Sequence, residues 1–184
     1  MAVSRSSTST AITNPPSKKP PTQGSGPTAT GPMCRDGQIT VTALDAGAGT
    51  GTVYQVFGFV NTSTAACTLM GYPGVAALNA QGLQVAQAQR KLTGVGGVQN
   101  GSSTPPSVTL NPGQIASAMI SGNSHPTGAA TSCPFYAPSF LITPPNVTQP
   151  IKVAAGSMWQ AIGFPGCSGL TVYPVVPGMT GSLS

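Results

Sequence analysis

The chain has 184 residues, of which only 5% are charged, and it carries 24 Gly, 19 Pro, four Cys, one His and two acidic residues. Frequent Gly and Pro interrupt every run long enough for a helix, which excludes a mainly helical fold and favours an all-β chain of short strands. The net charge is +5, but from residue 34 onward four basic residues stand against two acidic ones, without the Lys/Arg cluster that a nucleic-acid interface requires.

The first segment, residues 1–33, predicts a disordered tail or stalk. It is rich in Ser, Thr and Pro and has too few apolar residues to offset the entropy lost on ordering. Such a stalk holds a domain away from an anchoring point. Binding of a polyanion or of the cell wall through its basic residues Arg5, Lys18 and Lys19 is one alternative function. The folded domain is therefore expected at residues 34–184.

The rest of the chain predicts about eight or nine short strands, because apolar and polar residues alternate between turn signals. The clearest lie at 38–44, 52–61, 75–78, 83–89, 107–110, 115–120, 139–143, 151–155 and 169–175. The spacing of the turn signals, roughly 8–12 residues, favours an antiparallel immunoglobulin-like β-sandwich, with a small β-barrel as the alternative.

Particular strands and turns carry sharper expectations. The strand at 52–61 is apolar on both faces, which predicts a central position in its sheet. The sequence DAGAGTG at 45–51 predicts a flexible turn, and Asn79–Gly82 predicts a hairpin connection. Pro112–Gly113 suits the central positions of a type II turn and predicts a second hairpin between its flanking strands. The Gly/Ser/Thr/Pro-rich stretch 93–106 predicts a mobile surface loop.

The four cysteines, Cys34, Cys67, Cys133 and Cys167, predict two disulfides and no metal or cofactor. No two of these cysteines form a CxxC pair, and the single His is not enough to complete a typical zinc site. Three connectivities exist. Pairing the first with the second and the third with the fourth is favoured, because each bond would close a loop of about 33 residues and pin an irregular segment to a strand. Disulfides indicate an oxidising compartment, so a secreted or cell-surface protein is expected.

Nothing in the sequence predicts membrane insertion. No run of about 18 apolar residues occurs, and the first 30 residues lack the apolar core of a signal peptide. Because the paired cysteines nonetheless indicate an oxidising compartment, we expect that an export signal preceded residue 1 and has been removed.

A longer pattern of residues resembles a known family. It comprises Cys34 before the first strand, CTLMGYPGV at 67–75, LNPG at 110–113, Cys133, TPP at 143–145, Cys167 and LTVYP at 170–174. This pattern resembles a family of secreted or lipid-anchored β-sandwich domains of unknown function that is common in actinobacteria, mycobacteria included. It covers about residues 34–176. The resemblance implies two disulfides, a signal or lipobox peptide upstream with a lipid anchor in the natural precursor, and neither a catalytic residue nor a cofactor.

His125 is the one candidate for catalysis, as the general base of a Ser–His–Asp arrangement in a small hydrolase. The local sequence disfavours this alternative, because His125 precedes Pro126 in a loop and no G-x-S-x-G elbow is present. Asp36 and Asp45 lie near Gly turns, where capping of the backbone is their ordinary role.

The remaining candidates are aromatic side chains that could form a stacking surface for a sugar or a peptide, or could fill the core instead. They are Tyr72, Phe135, Tyr136, Trp159 and Tyr173. Taken together, the sequence favours a non-catalytic, exported cell-envelope or surface domain that acts through binding or a structural role. Its partner is expected to be an unknown protein or a cell-wall ligand and not a nucleic acid, with the sheet faces and loops 93–106 and 121–138 as contact surfaces.

Overall fold

The computed structural model describes residues 31–126 and 128–183, so the predicted tail lies outside the described residues except for its last three. This part of the chain is all-β, as predicted, with one turn of 3₁₀ helix at Ser157–Trp159. No helix in it is long and apolar enough to cross a membrane. The strands are β1 (Ile39–Gly49), β2 (Thr52–Asn61), β3 (Cys67–Met70), β4 (Gly74–Leu78), β5 (Gln84–Gln87), β6 (Gln89–Arg90), β7 (Ser107–Leu110), β8 (Ile115–Asn123), β9 (Phe135–Ala137), β10 (Ser139–Thr143), β11 (Ile151–Ala154), β12 (Phe164–Gly166), β13 (Leu170–Val172) and β14 (Val176–Pro177).

The larger sheet has six strands in the order β1-β2-β8-β13-β6, with β14 also paired to β8. The predicted central strand is confirmed, because β2 lies between β1 and β8 and is antiparallel to both. On one face of β2, Val53, Phe57 and Phe59 are buried in the main core. On the other face, Val56 is buried in a second, smaller cluster against which Tyr54 packs. Both faces of this sheet are therefore covered.

The smaller sheet has the order β11-β10-β4-β5 and packs against the larger one to form the sandwich. Phe57 of the larger sheet meets Phe140 of the smaller sheet with ring centroids 5.4 Å apart. The chain of edge-to-face contacts continues from Phe140 to Phe164 at 5.6 Å and from Phe164 to Trp159 at 5.5 Å. Four rings thus join the two layers in a core whose other members are mainly aliphatic, with Phe59 and the Cys34–Cys67 bond among them.

One segment belongs to both layers. β5 pairs with β4 in the smaller sheet, and after Ala88 the chain continues as β6, which pairs with β13 in the larger sheet. The Ala88 N–H donates to the Val75 carbonyl, and the Lys91 N–H donates to the Val172 carbonyl. The β6–β13 pairing is parallel, which departs from the fully antiparallel arrangement that the sequence predicted.

The predicted turn at 45–51 is wrong for its first five residues, because β1 continues through them to Gly49. A bulge between Ala43 and Ala46 shifts the register, and the strand then pairs with β2 up to a two-residue turn. A Cβ on Gly47 would lie 2.5 Å from the Tyr54 ring. Glycine is needed there because the ring lies over the backbone, and it is not the sign of a turn.

The two predicted hairpins have different outcomes. Asn79–Gly82 connects β4 to β5 as predicted. Pro112–Gly113 also forms its turn, with φ of +79° at Gly113, but the strands beside it do not form a hairpin: β7 pairs with β3, and β8 pairs with β2. Asn61 explains the difference, since its N–H donates to the Gln114 carbonyl and its side-chain amide donates to the Leu110 carbonyl. The end of β2 thus occupies positions that a hairpin would use.

Both predicted disulfides are present, with the predicted connectivity. Cys34 is bonded to Cys67 and Cys133 to Cys167. The first bond ties the segment before β1 to the start of β3. The second joins the segment before β9 to the residue that follows β12, at one end of the β9–β12 pair. Each bond therefore pins an irregular segment to a strand pair, as expected.

Candidate functional site

The aromatic side chains proposed as a stacking surface do not form one exposed patch. Trp159 is only 5% exposed and belongs to the main core, where its indole N–H donates to the Tyr54 carbonyl at 3.4 Å. Phe135 is half-buried against the same core. Tyr72 is half-buried beneath the Arg90 guanidinium, 5.8 Å from the ring centroid. Tyr173 is buried in the smaller cluster. Of the five rings, Tyr136 presents the most surface, at 46% exposed, so these rings act mainly as core and edge packing.

His125 is exposed, and its Nδ1 lies 2.9 Å from the Ser124 hydroxyl. Asp45 accepts a hydrogen bond from the Tyr54 hydroxyl at 3.1 Å, and Asp36 is held by residues 148–149. These are the only acidic residues of the whole sequence, and both lie in the described part of the chain. The structure therefore does not bring a carboxylate to His125, and the Ser–His–Asp arrangement is not assembled.

Asp36 caps a distant loop rather than its own turn. Its carboxylate accepts hydrogen bonds from the backbone N–H of Thr148 at 2.8 Å and of Gln149 at 3.0 Å, and from the Thr148 hydroxyl. These bonds favour the charged carboxylate, and they lower the pKa of Asp36 below its ordinary value of 3.8. The clamp ties the segment after Cys34 to the loop between β10 and β11.

We predict that Asp36→Asn lowers the thermal midpoint near neutral pH and that the difference from the unmodified chain disappears in acid. A depressed pKa in the folded state adds stability above the unfolded value of 3.8, and this stability is lost as the pH falls through the lower, folded pKa. Thermal unfolding at pH 7, 4 and about 2 measures it. Asp45→Asn controls for the loss of one negative charge. A difference that stays constant over this pH range would contradict the prediction.

The stretch 93–106, predicted as a mobile loop, packs in part on the outer face of the larger sheet, so the prediction is wrong for its buried portion. Residues 96–98 are buried, and Gly97 forms a parallel bridge with Ser182. A Cβ on Gly94 would lie 2.6 Å from the Tyr173 hydroxyl. The lack of a side chain therefore lets this segment lie directly on the sheet.

Beside this segment, a polar cavity of about 460 Å³ lies over β8, β13 and the segment that follows β6. Amide, hydroxyl and amino groups dominate its lining. They belong to Gln89, Lys91, Ser121, Asn123, Ser168 and Thr171. The Asn123 side-chain amide donates to the Ser168 hydroxyl at 2.5 Å, which fixes these two side chains relative to each other. Lys91 is the one charged residue of the lining.

A second cavity of about 470 Å³ adjoins the first, and Thr52 and Val95 line both. This one is more apolar, with Ala48, Tyr54 and Met119 in its lining. The hydrogen bond from the Tyr54 hydroxyl to Asp45 fixes the ring, and it raises the pKa of Tyr54 above its ordinary value of 10.0. The two cavities together are called the outer groove, and they give it one polar end and one apolar end.

Sequence reasoning singled out one residue of the outer groove, Tyr173, as a candidate stacking ring, and it did not single out the polar residues. Lys91, Asn123 and Ser168 come from three separate segments and meet only after β6, β8 and β13 are placed side by side. The one signal was Lys91, a positive charge in a chain with few charges. The sheet faces and the loops 93–106 and 121–138 were predicted as contact surfaces, and the outer groove draws residues from both loops.

Comparison with known proteins places this architecture in a family. A family model described as a domain of unknown function, DUF4232, matches residues 34–176. The match begins at the first cysteine and includes both disulfides and all strands up to the start of β14. No curated protein and no solved structure matches the chain. Because the match covers more than half of the sequence, the chain belongs to the DUF4232 family.

Proposed function

We propose that the chain is a non-catalytic binding domain that works outside the cytosol, at the cell surface or in the cell envelope. One observation carries the proposal: both acidic side chains form hydrogen bonds elsewhere, and neither reaches the single imidazole, His125. General acid–base or nucleophilic catalysis by side chains needs such groups within hydrogen-bond reach of each other. A domain with this inventory is suited to recognition.

The disulfides support the proposed compartment. Cys34–Cys67 and Cys133–Cys167 take up all four cysteines of the chain, and bonds of this kind persist in oxidising environments. The resemblance to secreted or lipid-anchored actinobacterial domains supports the same placement. The proposed partner is a protein or a cell-wall ligand. Polyanion binding through Arg5, Lys18 and Lys19 concerns residues that lie outside the described part of the chain.

Assays with broad esterase and peptidase substrates test the non-catalytic role. We expect turnover at the background level for the unmodified chain and for His125→Ala alike. The matched control is Ser102→Ala. It removes an exposed hydroxyl group from a loop that does not contain His125. Turnover that is lost in His125→Ala and kept in Ser102→Ala, with both variants folded, would overturn the proposal in favour of a small hydrolase.

The compartment is tested by fractionating the native host and alkylating free thiols before reduction. We expect the chain in the envelope or extracellular fraction with all four cysteines protected from alkylation. Recovery in the cytosolic fraction with alkylated cysteines would contradict the proposed location.

A further inference from the structure

We propose that the outer groove is a binding site for an acidic saccharide, that is, a hydroxyl-rich chain of sugar units that carries carboxylate or similar anionic groups. The inference rests on the proposed binding function and gives it a site and a ligand class. The size is suitable, because each of the two adjoining cavities, about 460 and 470 Å³, lies in the range of ~300–1,000 Å³ that is typical of small-molecule sites.

The polar end matches the chemistry of sugar hydroxyls. A hydroxyl group both donates and accepts hydrogen bonds, and so do the amide and hydroxyl side chains that line this cavity. The Asn123 amide donates to the Ser168 hydroxyl, which leaves the side-chain oxygen of Asn123 as an acceptor and the Ser168 hydroxyl hydrogen as a donor in residues that line the cavity. Gln89 and Thr171 add further groups of the same two kinds. Neutral groups that can act in both directions suit hydroxyls better than they suit a fixed array of charges.

The charge of the polar cavity favours an anionic group of the ligand at that end. Lys91 lines the polar cavity, and no acidic residue does. The chain has only two acidic residues: Asp36 is bonded to Thr148, and Asp45 is bonded to the Tyr54 hydroxyl. The ammonium group of Lys91 is therefore not compensated by a carboxylate in the cavity lining. A single positive charge among neutral donors attracts a ligand with a sparse negative charge.

The apolar end supplies a surface for the carbon-bound face of a sugar ring. Tyr54 is held by its hydrogen bond to Asp45 and lies over Gly47, so little conformational entropy is lost when a ligand packs on it. Val95 and Met119 line the same cavity, and Val95 also lines the polar cavity. An apolar platform with a few oriented polar groups is the usual construction of a small-molecule site.

Two other classes of ligand suit the groove less well. A peptide that is bound by strand addition pairs with the free backbone of a sheet edge, whereas the outer groove lies across the sheet face and presents side chains. A nucleic acid requires several cations along its phosphates, and the groove has one, Lys91.

The test is a calorimetric titration of the full chain with two probes of matched length, a maltooligosaccharide that carries one glucuronate unit and the corresponding uncharged maltooligosaccharide. We expect binding of the glucuronate probe to be the stronger and to weaken as salt is added. Lys91→Gln should reduce its affinity about tenfold, as for the loss of one charge-assisted hydrogen bond. Lys152→Gln, an exposed lysine on β11 outside the groove, is the matched control and should leave the affinity unchanged.

A second variant, Asn123→Ala, changes an exposed side chain and should weaken the binding of both probes. Equal affinities for Lys91→Gln and Lys152→Gln, or no binding of either probe by the unmodified chain, would overturn the inference and leave the proposed function standing. Chromatography of the probes after incubation separates the two proposals. Cleavage products that the unmodified chain forms would instead overturn the non-catalytic function, even if the groove binds the saccharide.

Discussion

Phe140→Ala is expected to lower the free energy of unfolding by about 3–5 kcal/mol, the range for deletion of a fully buried Phe side chain. The Phe140 ring is buried and makes edge-to-face contacts with Phe57 across the sandwich and with Phe164 of β12. Its removal leaves a cavity between the two sheets that small neighbouring side chains cannot fill. Denaturant unfolding measures the change. An unaltered slope of the unfolding free energy against denaturant concentration indicates that unfolding stays two-state.

Phe135→Ala is the matched control for Phe140→Ala, because the same atoms are removed from a half-buried position. Its effect should be clearly smaller. Since small domains have a total stability of about 5–15 kcal/mol, Phe140→Ala could prevent folding altogether. Phe140→Leu then gives the measurable value, expected at about 1–2 kcal/mol. Equal losses at positions 140 and 135 would contradict a central role for the four-ring contact chain.

Cys34→Ala/Cys67→Ala is expected to lower the free energy of unfolding by roughly 3–4 kcal/mol under non-reducing conditions. The bond closes a loop of 33 residues. Without it the unfolded chain gains conformational entropy, which lowers its free energy by about 3–4 kcal/mol. Ala is chosen over Ser because both cysteines are 1% exposed, so that Ser would add a buried hydroxyl group. Thermal and denaturant unfolding, with and without reductant, measure the loss.

The second disulfide provides a matched comparison. Cys133–Cys167 closes a loop of 34 residues, so loop-closure entropy alone predicts nearly the same loss for Cys133→Ala/Cys167→Ala. A loss of unfolding free energy below about 1 kcal/mol for Cys34→Ala/Cys67→Ala would contradict this account. So would a difference in stability between this variant and the unmodified chain that persists after both have been fully reduced.

Local patterns were enough to predict much of the fold. The apolar residues on both faces of β2 predicted a central position for this strand, and the structure confirms it. The turn residues between β4 and β5 and the spacing of the four cysteines were equally informative, because each depends on residues that are close in sequence or on a single covalent chemistry.

Gln55 marks the limit of such patterns. It lies on the core face of β2 and is fully buried, although alternation alone assigns that face to apolar side chains. Its amide donates to the carbonyls of Asp45 and Val56, and its side-chain oxygen accepts the N–H of Gly156. It thereby satisfies backbone groups at the bulge of β1 and before the 3₁₀ turn. Those groups need a partner only because distant segments meet there.

Strand pairing and the candidate site depend on the same kind of long-range encounter. The turn at Pro112–Gly113 was predictable from its sequence, but its flanking strands pair with β2 and β3, which competed successfully for their backbone groups. Likewise, Lys91, Asn123 and Ser168 converge only because β5–β6 passes from one sheet to the other. No short window of sequence carries that information.

A pulling force on the N-terminal segment would load the backbone pairing of residues 32–34 with Thr68 and would then pass through sulfur from Cys34 to Cys67. The polypeptide between these residues, which includes β1 and β2, would then carry no tension. Fully extended, these 33 residues would span about 110 Å, at ~3.3–3.6 Å each, and this length stays folded while the bond is intact. A domain tethered through that end would therefore retain β1 and β2 in the sandwich while it is pulled, as long as the bond stays oxidised. Only after reduction would the load extend this segment.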